Sequence, residues 1–410
     1  RIPMYDTPWN ATIKRWKTEG LPNDTNISDY FDWDFAFFGA DCTPRFPVRT
    51  IEKNERFIIR TTPEGGVRKN FIDYTTTPVI IDYPIKTKED WNEIKKRLKP
   101  DFTRVDWAST FYQFNEEKEK GRFTLYSTVL GYDCLQRYIR SDNLLIAMVE
   151  DPDWIKEMIM TIAELNLVML EFMMKNGFSF NGIYIANDMG YKNGLLFSPD
   201  IYLKTHYQAD KMTYGFCHSK NLKVVLHSCG NVKELIPILI DAGLDCLQPL
   251  EVKAQMDLIE LKEKFGDRLS FMGGIDSRLM SDPDKTKIEQ EVKTKIGVAK
   301  KKGGYVYHSD HSIPNIVSFK DYCFVMELVK KYGVYEQTAS LPDIQLPESK
   351  KEEIPSEPKK IKFGFGRKKK DKITVSQSDK TEQSTQSTNV KIKQPSEKKS
   401  KFGFLKAKKK

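Results

Sequence analysis

The stretch VVLHSCGNV, residues 224–232, carries a β-branched and leucine run into two metal-binding side chains, His227 and Cys229, and then a glycine turn. On an extended backbone positions i and i+2 project to the same side, so these two side chains can meet one ion. Zinc accepts imidazole nitrogen and thiolate sulfur, and a catalytic zinc keeps three protein ligands plus an open position. The third ligand must come from another strand end. His308, His311, Asp276, Asp310, Glu251 and Cys246 are the side chains placed to supply it. In the plainer alternative, His227 only hydrogen-bonds at a strand terminus and Cys229 is a small buried hydrophobe. The chain has five histidines, and three of them fall at inferred strand ends, which favours the metal.

Such side chains need strands whose ends converge. From about residue 122 onward, short runs rich in Val, Ile, Tyr and Phe alternate with longer helical patterns, the signature of βα units around a parallel sheet. Strands are expected at 122–129, 182–188, 223–228, 244–249, 269–274 and 305–310, with another in FAFFGADC at 35–42. Between them Ile155, Met158, Ile159, Ile162, Leu165 and Met169 recur at helical spacing over 153–176, and a helix over 232–241 closes on Gly243. These α/β repeats suit a (β/α)8 TIM barrel with an N-terminal elaboration. An eighth strand has no candidate, and a doubly wound sheet is the alternative. In a barrel the C-terminal strand ends share the face that carries active sites. Asn187-Asp188, His227 to Cys229, Gln248 with Glu251, Gly273 to Asp276, and His308 to His311 all fall there. Asp188 and Tyr191, in NDMGYKNG, suit substrate orientation, with a helix cap as the bland alternative.

Composition divides the chain in two. Residues 350–410 hold 20 Lys and Arg against 7 Asp and Glu, leaving 46 against 50 in residues 1–349, so a tail near +13 follows a folded part near −4. Domains are therefore expected at 1–340 and 341–410. The second is read as a disordered, Lys-rich tail with too little apolar material to offset the entropy of ordering it. KFGFGRKKK at 362–370 recurs as KFGFLKAKKK at 401–410, which suits docking on an acidic partner or polyanion, or simple solubilisation. No apolar run approaches the roughly 18 residues of a membrane helix. Six scattered cysteines without a CxxC pair favour reduced thiols and a cytoplasmic setting. RFIIR, Gly65-Gly66 and VRKNFIDY, within 55–83, predict a β-hairpin beside the barrel entrance.

The run VVLHSCGNVKELIPILIDAGLDCLQPLEV, followed by FGDRLSFMGGID and HSDHSIPN, resembles the uroporphyrinogen decarboxylase superfamily over most of residues 1–335. The resemblance implies a (β/α)8 barrel and one of two chemistries. Porphyrinogen decarboxylases open with RPxWxMRQAGRY, whose arginines bind substrate carboxylates. Here RIPMYDTPWNATIKRW aligns only Arg1, and Asp6 to Ala11 replaces the rest. In the zinc-dependent methyltransferases of the superfamily the ligands are a His-x-Cys pair and a later cysteine. His227 and Cys229 match the pair, and His311 stands where the cysteine is expected. Glu251 falls where those enzymes keep a carboxylate able to take the open position.

The resemblance therefore implies Zn2+ held by His227, Cys229 and His311, a methylcobamide carried by a partner corrinoid protein, and a small-molecule methyl acceptor such as a thiol. With the strand-end placement, Glu251, Asp188 and Tyr191 are expected as catalytic and Asp276, His308 and Asp310 as substrate-binding. Trp9, Trp16, Tyr30 and Trp33 are either an apolar rim for the partner or core packing. The alternatives are a tetrapyrrole decarboxylase and a non-catalytic barrel acting as a tethered binding module.

Overall fold

The computed structural model of the protein describes residues 1–72 and 78–335. The expectations for residues 341–410, both Phe-Gly-Phe elements included, lie outside the described residues.

Among the described residues thirteen strands follow in order: β1 Phe35–Phe38, β2 Thr50–Lys53, β3 Phe57–Thr61, β4 Val67–Phe71, β5 Val79–Asp82, β6 Phe123–Val129, β7 Gly182–Ala186, β8 Gly190–Tyr191, β9 Gly194–Leu195, β10 Lys223–His227, β11 Cys246–Gln248, β12 Ser270–Met272 and β13 Tyr305–Val306. Seven of them form one parallel sheet in the order β1-β6-β7-β10-β11-β12-β13. Spatial order follows chain order with no reversal, whereas a doubly wound sheet reverses at a switch point. All seven lie within the segments expected from the sequence.

Residues 3–6 supply the missing eighth position. Tyr307 N–H donates to the Pro3 carbonyl at 2.9 Å and Tyr5 N–H to the Tyr307 carbonyl at 3.0 Å, pairing Met4 with Tyr307 in parallel. On the other side Asp34 N–H, just before β1, donates to the Met4 carbonyl at 2.8 Å. The sheet is thereby closed. Asp6, 1% exposed, locks this seam. Its carboxylate accepts from Ser309 Oγ at 2.6 Å, Tyr322 Oη at 3.0 Å, Tyr307 Oη at 3.2 Å and Thr7 N–H at 3.0 Å. Tyr322 belongs to the helix Phe319–Tyr332, so one carboxylate joins the N-terminal segment, the last barrel strand and the last helix.

Alternation along the strands sorts the side chains. Phe35, Leu125, Val225, Cys246 and Met272 pack with Tyr5, Phe37, Phe123, Tyr184 and Val306 inside the barrel. Tyr126, Ile183, Ile185, Val224, Leu226, Leu247 and Phe271 join the outer core against the helices. The longest helix, Pro152–Lys175, starts with Asp151 capping Trp154 N–H and buries the six apolar residues that revealed it in the sequence. The Ile236–Ala242 helix ends on Gly243 in the left-handed conformation, as its glycine predicts. The expected hairpin is the centre of a larger unit, since β2-β3-β4-β5 form a four-stranded antiparallel sheet. No helix among the described residues is long and apolar enough to cross a membrane.

Asp6→Ala leaves the buried hydroxyls of Tyr307 and Tyr322 without their carboxylate acceptor, each costing about 1–3 kcal/mol, while Ser309 keeps the His311 carbonyl. Urea unfolding is expected to show a loss of about 3 kcal/mol or more. A loss below about 1 kcal/mol would mean that the seam does not depend on this carboxylate.

Candidate metal centre

The interior period of two carries upward from the packed layer. Two residues beyond Val225, Cys246 and Val306 stand His227, Gln248 and His308, one layer nearer the C-terminal mouth. β10 ends at His227, yet Asn187 N–H still donates to its carbonyl at 2.9 Å and Ser228 N–H to the Gln248 carbonyl at 2.8 Å. The strand therefore stays in register until Cys229 leaves it.

Two contacts then hold Cys229. Asp188 Oδ1 accepts its backbone N–H at 2.9 Å. Gly230, at φ +80°, lies backbone to backbone on the loop after β7, where a Cβ at 230 would sit 2.3 Å from the Gly190 carbonyl carbon. Asn231 N–H donates to the Tyr191 carbonyl at 2.9 Å and continues the clasp.

Five side chains with ligand atoms meet at this point. Cys229 Sγ is 3.4 Å from His227 Nε2, which is 3.5 Å from Asp188 Oδ1. Glu251 Oε1 is 3.8 Å from His311 Nε2. Asp188, His227 and Cys229 form one group with ligand atoms within 4.8 Å of one another, and Cys229, Glu251 and His311 form a second. Cys229 is common to both. The trio read from the sequence, His227, Cys229 and His311, is thus spread over two overlapping groups, each completed by a carboxylate.

Burial pushes the Cys229 thiol well above its ordinary pKa, and the charges of Asp188 and Glu251 push it further. The Asp133 carboxyl, from the short helix Gly131–Leu135, is also raised by burial, with Arg137 opposing and Asp188 adding to the shift. Beneath the ligand atoms, Gln248 Oε1 contacts His227 Nδ1 and lies 3.1 Å from Tyr184 Oη, while its Nε2 is 3.3 Å from His308 Nε2.

Asp310 accepts Val252 N–H at 3.1 Å and Ser277 N–H at 2.9 Å, bracing the loops after β11 and β12. Asp276 caps its own turn and pairs with Arg278 at 2.6 Å. His308 lies beneath the mouth, 1% exposed, and Tyr191 stands at the rim, 50% exposed. Trp16 and Trp33 are core, stacked on Tyr322 and Phe31 respectively. Arg1, the one residue aligned with the carboxylate-binding arginines, pairs with Asp32 at 2.8 Å and Asp34 at 2.6 Å, beside the entry to β1 and away from the strand ends that carry the cluster.

Gln248, Tyr184 and Asp133 are the site residues that strand-end reasoning leaves without a role. Gln248 had a positional signal, two residues beyond an interior cysteine. Asp133 had none, because only folding brings its helix beside Asp188.

Gly230→Ala forces a left-handed backbone and a backbone clash together, and is expected to cost at least about 2 kcal/mol in urea unfolding. A change below about 0.5 kcal/mol would show that the Cys229 loop can move off Gly190.

Comparison with known proteins fits this architecture. A methyltransferase from Methanosarcina mazei superposes with a TM-score of 0.55 at 16% identity, over 81% of this chain and 93% of that one. At that identity the likeness shows the fold. An α-L-fucosidase candidate from Bacteroides thetaiotaomicron reaches a TM-score of 0.36 at 12% identity over 80% of this chain and 94% of that one. A xylose isomerase-like TIM barrel protein from Mycobacterium smegmatis reaches 0.33 at 7% identity over 62% and 92%; neither score bears on the argument. No curated protein matches the sequence. The family description uroporphyrinogen decarboxylase (URO-D) matches residues 59–332, two thirds of the sequence, and the chain belongs to that family.

Proposed function

We propose that this chain is a zinc-dependent methyltransferase that moves a methyl group between a corrinoid protein and a thiol or similar small acceptor. The observation that carries the reading is the convergence of His227, Cys229, Asp188, Glu251 and His311 on one thiolate position at the barrel mouth. Imidazole, thiolate and carboxylate are the donor set zinc takes. Two carboxylates beside a buried thiol disfavour the thiolate on its own, and a divalent cation reverses that balance.

When bound, zinc supplies the Lewis acidity that holds an acceptor thiol as thiolate at neutral pH. The chain's residues do the rest. His227 and Cys229, fixed by β10 and the Gly190–Gly230 clasp, present nitrogen and sulfur from one side. Glu251, 6% exposed beside His311, is a carboxylate able to fill the position an acceptor vacates. Asp188 keeps the Cys229 backbone in place and faces His227. Tyr5, Phe37 and Tyr184 pack against one another in the barrel interior below the cluster. The M. mazei methyltransferase shares this fold, which supports the reading without naming the substrate here.

A porphyrinogen substrate needs several cations for its acidic arms. Arg1 is already neutralised by two carboxylates, and buried Asp6 stands where that segment's arginines begin to be lost. A barrel kept only for binding leaves the five-ligand convergence without a purpose.

Metal analysis of the purified full chain is expected to give about one zinc, with proton release on uptake, and His227→Ala and Cys229→Ala proteins well below that. Methylcobalamin with a small thiol is expected to lose its methyl group only in zinc-loaded wild type. Stoichiometric zinc in Cys229→Ala, or stepwise decarboxylation of uroporphyrinogen III at an enzymic rate, would overturn the assignment.

A further inference from the structure

Under the ligand atoms runs a line of polar contacts in which every donor and acceptor is determined by its neighbour. It starts at a backbone carbonyl. His308 Nδ1 lies 2.6 Å from the Ser309 carbonyl oxygen, and a carbonyl only accepts, so Nδ1 carries the proton. Burial, the largest influence on this ring, lowers its pKa and keeps it neutral, against the nearby Asp6 charge. Asp6 Oδ1 itself is 3.8 Å from His308 Nε2, beyond hydrogen-bond reach. His308 Nε2 is therefore an acceptor.

The amide of Gln248 must turn to match. Its Nε2 donates to His308 Nε2 at 3.3 Å, with Thr7 Oγ1 a second neighbour at 3.4 Å. That turn points Oε1 the other way, where Tyr184 Oη donates at 3.1 Å and His227 Nδ1 makes a close contact. An amide oxygen only accepts, so His227 Nδ1 also carries a proton. The consequence falls on the far side of the ring. In the neutral ring Nε2 then carries the lone pair, 3.4 Å from Cys229 Sγ and 3.5 Å from Asp188 Oδ1.

We propose that His308 and Gln248 are positioning residues that fix His227 as its Nδ1–H tautomer, so that Nε2 is held free to bind a metal ion. The partner of a metal-bound histidine is ordinarily a carboxylate, a carbonyl or water. Here it is a neutral amide whose own orientation is set by a second, buried histidine. A neutral partner adds no charge to a cluster that already holds two carboxylates and a thiol, and it still selects one tautomer. The inference rests on the metal site proposed above, and the test is arranged so that the two can fail separately.

The full chain, labelled with 15N-histidine, is first read without metal by long-range 1H–15N correlation, which distinguishes the two imidazole tautomers. Wild type is expected to show both His227 and His308 as Nδ1–H, each signal assigned by its loss in His227→Gln and His308→Leu proteins. Gln248→Leu removes the acceptor and is expected to give His227 as a tautomer mixture. Zn2+ affinity, read by competition with a chelating dye, should then fall about 10- to 100-fold. His308→Leu frees the amide to turn and is expected to give the same mixture. Gln248→Glu keeps an acceptor against Nδ1 and should retain the tautomer. A wild-type His227 protonated at Nε2 overturns the proposal, whether or not any variant folds. So does an unchanged Nδ1–H signal in both Gln248→Leu and His308→Leu. Should the tautomers be as stated while wild type takes up no Zn2+, the positioning chain is upheld and the methyltransferase reading falls.

Discussion

The N-terminal segment, bridged to Tyr307 through Met4 on one side and hydrogen-bonded to Asp34 N–H on the other, turns seven parallel strands into a closed barrel. A seam this short has few ladder hydrogen bonds to hold it. The deficit is made up by Asp6, whose carboxylate collects three hydroxyls and a backbone N–H from both sides of the seam. A buried carboxylate is expensive unless its lone pairs are filled, and here four donors fill them. One of those donors, Ser309, also provides the carbonyl that sets the His308 proton. The closure and the tautomer of the metal-facing histidine are therefore mechanically continuous.

The electrostatics at the mouth work in the opposite sense. Around Cys229 the carboxylates of Asp188 and Glu251 are brought close to a buried thiol, an arrangement that burial and charge both penalise. Fold stability alone gives no reason for it, since a hydrophobic residue of similar volume avoids the penalty. The backbone effort spent nearby points the same way. A positive-φ glycine, a backbone-to-backbone clasp and an aspartate cap on one N–H all serve to hold a single cysteine in that unfavourable place.

Much of this was legible in the sequence, and the limits have physical causes. Seven strands were visible because β-branched and aromatic runs stand out against helical periodicity, and His227 and Cys229 were visible because their chemistry is rare. The eighth strand was not, since residues 3–6 contribute one bridge and no repeat. Asp276 and Asp310 were read as substrate-binding from their position alone. Acidic side chains after strands serve as readily to accept loop N–H groups, and Asp310 accepts from residues 33 and 58 positions away. Gln248 was underrated because an amide has no reactivity of its own, and its importance lies in what it orients.

The departure from the superfamily ligand pattern can be argued from charge. A histidine and two thiolates bring two formal negative charges to a zinc ion and neutralise it, whereas His227, Cys229 and His311 bring one. In the site proposed above, Glu251 would supply the second. Its carboxylate is buried at the contact with His311, and Lys253, 3.7 Å away, is too exposed to neutralise it fully. Exchanging a cysteine for a histidine at 311 thus removes a charge from one strand end while a carboxylate on the neighbouring loop supplies it. A carboxylate is a weaker, more readily displaced zinc ligand than a second thiolate, so the site proposed above would open for an acceptor without losing its soft anchor at Cys229.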